Sequence, residues 1–114
     1  IKNIRLSNSV NTYIGELELD LKSIKDLCFM LSDKIEKLFV IIVSKTDEKA
    51  FISCFVSKEL VEEKGLNASN IVKELSPMID GNGGGQPFFA TAGGKKIDGI
   101  KAVLNQSKKI INQI

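Results

Sequence analysis

Between Leu38 and Val56 the chain reads LFVIIVSKTDEKAFISCFV. Leu38 to Val43 is a continuous apolar run rich in β-branched residues, short enough to be a strand buried on both faces. Thr46, Asp47 and Glu48 make a polar turn, and Ala50 to Val56 returns as a second strand, so this stretch is expected to be an antiparallel hairpin. The flanking segments must then supply the rest of the sheet and the helices that pack on it.

Upstream, Thr12 to Leu19 alternates Tyr13, Gly15, Leu17 and Leu19 against Ile14, Glu16 and Glu18, the pattern of a half-buried strand. Asp20 is placed to cap a helix whose Leu21, Ile24, Leu27, Cys28, Leu31 and Ile35 form one apolar stripe, with Leu19 and Ile24 as a hydrophobic staple. Residues 1–9 read as a lead-in from an upstream helical region, and residues 10–114 as one globular domain. Ile1 stands where a complete chain would begin with Met, which suggests a piece of a longer protein.

Downstream, Ser57 is expected to cap a short helix through Glu63, ended by Gly65 in the left-handed region. Asn67 starts another helix, with Leu66 and Ile71 as its staple, which runs until Pro77 removes a needed N–H. Phe88 to Ala92 reads as a short strand. Lys96 to Ile111 reads as a last helix with Ile97, Ile100, Val103, Leu104, Ile110 and Ile111 on one side. The expected architecture is α+β: a mixed β-sheet with a central antiparallel hairpin and packed α-helices, in a single domain.

With 114 residues, 43% of them hydrophobic, the chain can hold one core without disulfides or metal, and it is too short for two domains of ordinary size. The absence of histidine excludes more chemistry than any other feature. Serine and cysteine triads lose their usual base, and zinc sites lose their commonest nitrogen ligand. Histidine-based catalysis and the commonest zinc sites are therefore not expected. Cys28 and Cys54, far from a Cys-x-x-Cys spacing, read as small core residues of a reduced, cytoplasmic protein. No apolar run is long enough to span a membrane.

Net charge is only +2, but it is uneven: residues 81–114 carry Lys95, Lys96, Lys101, Lys108 and Lys109 against Asp98 alone. Attraction for phosphate should centre on this basic end. The same region holds GNGGGQPFFATAGG, residues 81–94, in which Gly81, Gly83, Gly84, Gly85, Gly93 and Gly94 fall within fourteen positions. Such a density has two physical explanations: backbone in tight approach to the sheet, or bare N–H groups that an anion can reach. The named phosphate motifs fail. A Walker loop needs glycine and Ser or Thr where Phe89 and Lys96 stand, and dinucleotide fingerprints meet Gln86 or Phe88 where a glycine is required. What remains is a loop whose Gly93 and Gly94 lead into a helix start carrying Lys95 and Lys96, where free N–H groups, a helix dipole and two ammoniums converge. Of Phe88 and Phe89, at least one must face the core, which weakens any reading of the pair as base-stacking platforms.

This glycine block, followed by a Lys-rich helix and preceded by FVIIVSKTDEKAFISCFVSKEL, resembles the C-terminal domain of bacterial alanyl-tRNA synthetases, of the group associated with DHH phosphoesterases. The likeness covers about Val10 to Ile111. Gly83, Gly84, Gly85, Pro87, Ala90, Ala92, Gly93 and Gly94 fit the family block, whereas Asn82 interrupts the glycine run and Gln86 replaces a basic residue. The phosphoesterase relatives commonly carry histidine at the Gln86 position.

The resemblance implies a non-catalytic domain that contacts the outer corner of tRNA(Ala) and assists aminoacylation and editing. It implies no cofactor here, with ATP, Mg and zinc used by other domains of the parent, and in some relatives a homodimer. The expected contact region is Gly83, Gly84, Gly85, Gln86, Gly93, Gly94, Lys95, Lys96 and Lys101, with Lys108 and Lys109 as an ordinary solvated helix face. Two alternatives stay open: a substrate-binding domain of a DHH-type phosphoesterase, and an assembly module, which exposed apolar residues near Ile110, Ile111 and Ile114 would favour.

Overall fold

The apolar run at 38–43 does become a strand covered on both sides, and the rest of the domain is arranged around it. The computed structural model describes residues 5–7 and 10–113. Six strands, β1 (Arg5–Ser7), β2 (Val10–Glu16), β3 (Leu38–Lys45), β4 (Ala50–Val56), β5 (Gly81–Gly85) and β6 (Phe89–Gly94), form one sheet in the order β1-β2-β3-β4-β6-β5. Only β2 and β3 pair in parallel, joined across helix α1 (Leu21–Ser32); the other four pairings are antiparallel. The sheet is thus mixed, with the expected hairpin at its centre, and the α+β class holds. Of the lead-in at residues 1–9, Arg5–Ser7 belong to the sheet; the remainder of that segment, and Ile114, lie outside the described residues.

Period-two alternation divides β3 between two cores. Phe39, Ile41 and Val43 face one cluster with Ile52, Cys54 and Val56 of β4, covered by α2 (Lys58–Lys64), α3 (Ala68–Leu75) and α4 (Ile100–Asn112) through Leu60, Val72, Leu75, Val103 and Ile111. Leu38, Val40 and Ile42 face the other cluster with Phe55, covered by α1 through Ile24, Cys28 and Leu31. Three helices lie on one face and one on the other.

Local chemistry accounts for most helix ends. Asp20 accepts the Ser23 backbone N–H at 2.7 Å, and hydrogen bonds from the Ser23 side chain and from this N–H hold its carboxyl below the ordinary value of 3.8. Asn67 likewise accepts from Asn70 N–H at 3.1 Å, and Gly65 ends α2 at φ 67°. Ser57 takes the N-cap position of α2, its carbonyl accepting from Leu60 and Val61 N–H, but its side chain makes no cap hydrogen bond: its Oγ accepts the buried Leu38 N–H at 3.1 Å and so ties the start of β3 to the end of β4. Leu19, the intended staple, stays 42% exposed. The stripe of α1 also ends earlier than its apolar spacing suggests. The helix closes at Ser32, and Ile35 packs on the same cluster from the turn beyond.

Pro77 enters a 3-10 turn at Ser76–Ile79, after which Asp80 adopts a left-handed conformation at φ 51° and swings the chain into β5. Aspartate is among the few residues that tolerate this. Among the described residues no helix is long and apolar enough to cross a membrane.

Candidate nucleic-acid interface

The glycine block is a strand hairpin, which corrects the expectation of a loop. Gly81–Gly85 pair antiparallel with β6, Gly81 opposite Gly94 and Gly85 opposite Ala90, and lie at the open edge of the sheet. Glycine has little intrinsic strand preference, so the pairing is dictated by its neighbours. β6 is fixed against the buried β4 by six register pairs, and α3 packs on β5. The turn between the strands is held at three points. Gln86 N–H donates to Phe89 O at 2.9 Å, Val56 N–H to Phe88 O at 2.8 Å, and Ala68 N–H at the head of α3 to Pro87 O at 2.8 Å.

Most of the glycines here are needed for close approach. A Cβ on Gly83 would collide with the Thr91 carbonyl and with Ala92, and one on Gly94 with the Ile79 carbonyl. Gly93 is half-buried against Phe51 and Gly94 is buried, so these two shape the base of the hairpin. Gly83, Gly85 and Gln86 are exposed and Gly84 is half-buried, leaving a ribbon of nearly bare backbone at the sheet edge.

Lys95 and Lys96 are exposed, but they precede the last helix instead of forming its first turn. Lys96 N–H donates to Ile79 O at 3.0 Å, which holds this segment against the 76–79 turn, and the chain then makes a 3-10 turn at Ile97–Gly99 before α4 begins. The expected convergence of both ammoniums with free helix N–H groups is therefore replaced by two cations at the foot of the glycine ribbon. Gln86 marks the other end. Four strand steps from Gly81 to Gly85 span about 13 Å, so the site residues line an elongated footprint. Lys101 is exposed on α4, as are Lys108 and Lys109.

Among the described residues three ion pairs form, Lys22–Asp26, Lys37–Glu63 and Lys45–Glu16, and none uses Lys95, Lys96 or Lys101. Nor do they use Lys73, a cation that sequence reasoning overlooked. Lys73 and Ser69, on the face of α3 that meets β5, lie beside Gly84. The sequence offers no signal for this: Lys73 sits in the acidic segment 58–80, and only the packing of α3 across the sheet edge brings it to the glycines.

The two phenylalanines differ in exposure but lie on the same side, because Phe88 precedes β6 and both rings approach Phe29 of α1. Phe89 is half-buried in the α1-side cluster, with Lys25 Nζ 5.8 Å from its ring centre, whereas Phe88 is 42% exposed. Phe29 of α1 stands between Phe55, Phe88 and Phe89 at 5.3–6.2 Å. The cysteines are buried in opposite cores. Burial pushes the Cys28 thiol up to about 12 and raises that of Cys54 as well, so neither is primed as a nucleophile.

Residues 8–113 match the family described as the DHHA1 domain. Alanine–tRNA ligase of Christiangramia forsetii is 46% identical over 108 residues, 95% of this chain, and that of Flavobacterium psychrophilum is 40% identical over 104 residues, 91% of this chain. The chain spans only 12% of the length of each. Among solved structures, the C-Ala domain of Aquifex aeolicus alanyl-tRNA synthetase superposes with a TM-score of 0.80 at 26% identity, covering 94% of this chain and 95% of that one. A mixed sheet edged by a glycine hairpin, with this match along nearly its whole length, places the chain in the DHHA1 domain family, alongside the C-Ala domain of alanyl-tRNA synthetases.

Proposed function

We propose that this domain is a non-catalytic tRNA-binding module of an alanyl-tRNA synthetase, acting in the cytoplasm. In this role it holds the outer corner of tRNA(Ala) while other domains of the parent carry out aminoacylation and editing. ATP, Mg and zinc belong to those other domains. The observation that supports this reading is the glycine ribbon flanked by lysines that, among the described residues, form no ion pair. The outer corner offers phosphates, 2′-hydroxyls and exposed base faces in place of a readable major groove, so it is recognised by shape and backbone contact. An edge with almost no side chains allows close approach, and cations at its foot and side attract phosphate without reading sequence.

The test is binding of this chain to whole tRNA at two salt concentrations, compared with a minihelix containing only the acceptor stem and its stacked arm. The expected outcome is a preference for whole tRNA that weakens as salt rises, with a dissociation constant around 10⁻⁴ to 10⁻⁶ M, the range of a few phosphate contacts. Equal binding to both RNAs would exclude outer-corner recognition.

A homodimer is the second reading, and it rests on a different surface from the one expected. Ile111 is buried and Ile110 packs on the core, whereas Leu19, Phe29, Met30 and Phe88 are the exposed large apolar residues among those described. Sedimentation over a range of concentrations separates this reading from the first.

A further inference from the structure

The glycines of the hairpin are not equivalent. A Cβ on Gly81, Gly83, Gly85, Gly94 or Gly99 would run into backbone: the carbonyls of Gly93, Thr91, Phe89, Ile79 and Met78 respectively. At Gly84 it would meet only Lys73 Cε at 3.6 Å and Ser69 Oγ at 3.7 Å, ordinary van der Waals distances, and the backbone there is not in the left-handed region. A side chain fits. Because glycine within a strand is less stable than alanine by roughly 0.5–1 kcal/mol, the fold alone would favour a larger residue at this position.

Ser69 and Lys73 stand one helical turn apart on the same face of α3, so the Ser69 hydroxyl and the Cε end of the Lys73 side chain reach the same place beside Gly84. Lys73 is exposed and takes part in none of the three ion pairs among the described residues. The adjacent Glu74 carboxylate accepts from Gln106 of α4 at 3.4 Å, which directs it toward the neighbouring helix.

We propose that Gly84, Ser69 and Lys73 form a seat for one backbone phosphate of the bound RNA. The bare peptide at Gly84 is its floor, the Ser69 hydroxyl donates a hydrogen bond, and the Lys73 ammonium supplies a charge-assisted one. The seat rests on the tRNA-binding reading and adds to it a contact on α3, beside the middle of the glycine ribbon.

Binding of whole tRNA to this chain, with melting temperature measured in parallel, tests the seat. Gly84→Ala is expected to melt at or above the wild type and yet bind about tenfold more weakly. Lys73→Ala is expected to melt like the wild type, bind about tenfold more weakly, and lower the slope of log K against log salt by about 0.7–0.9, the value of one phosphate contact. If the wild type binds and both variants match it in affinity and salt slope, the seat is overturned while the tRNA reading stands. If the wild type itself shows no tRNA affinity, both fall together.

Discussion

The two hairpins of this domain are built by opposite means. In β3–β4 nearly every side chain is buried, and the pairing is held by what projects from it: Phe39, Ile41 and Val43 on one side, Leu38, Val40 and Ile42 on the other. In β5–β6 the outer strand is Gly81, Asn82, Gly83, Gly84 and Gly85, and the pairing is held by what is missing, since added atoms at Gly81, Gly83 and Gly85 would strike the partner strand. One hairpin is the interior of the fold and the other is its bare margin. The lesson is that packing can fix a strand of little intrinsic propensity when its partner is anchored elsewhere. Here the anchor is β4, which pairs with both β3 and β6.

Removing atoms should therefore damage the first hairpin, and adding them the second. Phe39→Ala empties a fully buried site and should destabilise the chain by about 3–5 kcal/mol in urea unfolding. A loss under 1 kcal/mol would show that the centre of the sheet can collapse around the cavity. Gly83→Ala inserts a methyl against the Thr91 carbonyl and should cost about 1–3 kcal/mol, the range of overpacking. If it unfolds at the same denaturant concentration as the wild type, β5 yields more readily than its pairing with β6 implies.

The smallest expected effect on stability, within about 0.5 kcal/mol, belongs to Lys95→Ala combined with Lys96→Ala, because both side chains are exposed. Their removal should instead weaken tRNA binding and reduce its salt slope by about 1.5 if each contacts a phosphate. An unchanged affinity at moderate salt would remove the foot of the hairpin from the interface.

Much of the fold was legible because it follows from local patterns. The strand at 38–43 showed its two-sided burial as a β-branched run, α1 showed its buried face in the spacing of Ile24, Cys28 and Leu31, and Gly65 and Asn67 marked helix ends through backbone and cap chemistry. Ser57 stands at the N-cap of α2 as its residue type implies, but its hydroxyl serves a different N–H. The residue type that caps helices can equally serve any N–H in reach, and here that is Leu38, nineteen positions away. The candidate site was legible as composition and not as shape. The glycine block and the lysines around it were visible, but its conformation as an edge strand and the neighbourhood of Lys73 were not.

By itself, then, the sequence determined that the chain is a single α+β domain with a hairpin at its centre, that histidine-dependent chemistry is absent, and that its surplus positive charge lies toward its glycine-rich end. These are properties of residue type and short-range periodicity. Only the tertiary structure decided which glycines are compelled by close backbone contact and which leave space, and which cations border that space. Those are distances between segments remote along the chain, and they are set by how α3 and β4 hold the hairpin in place.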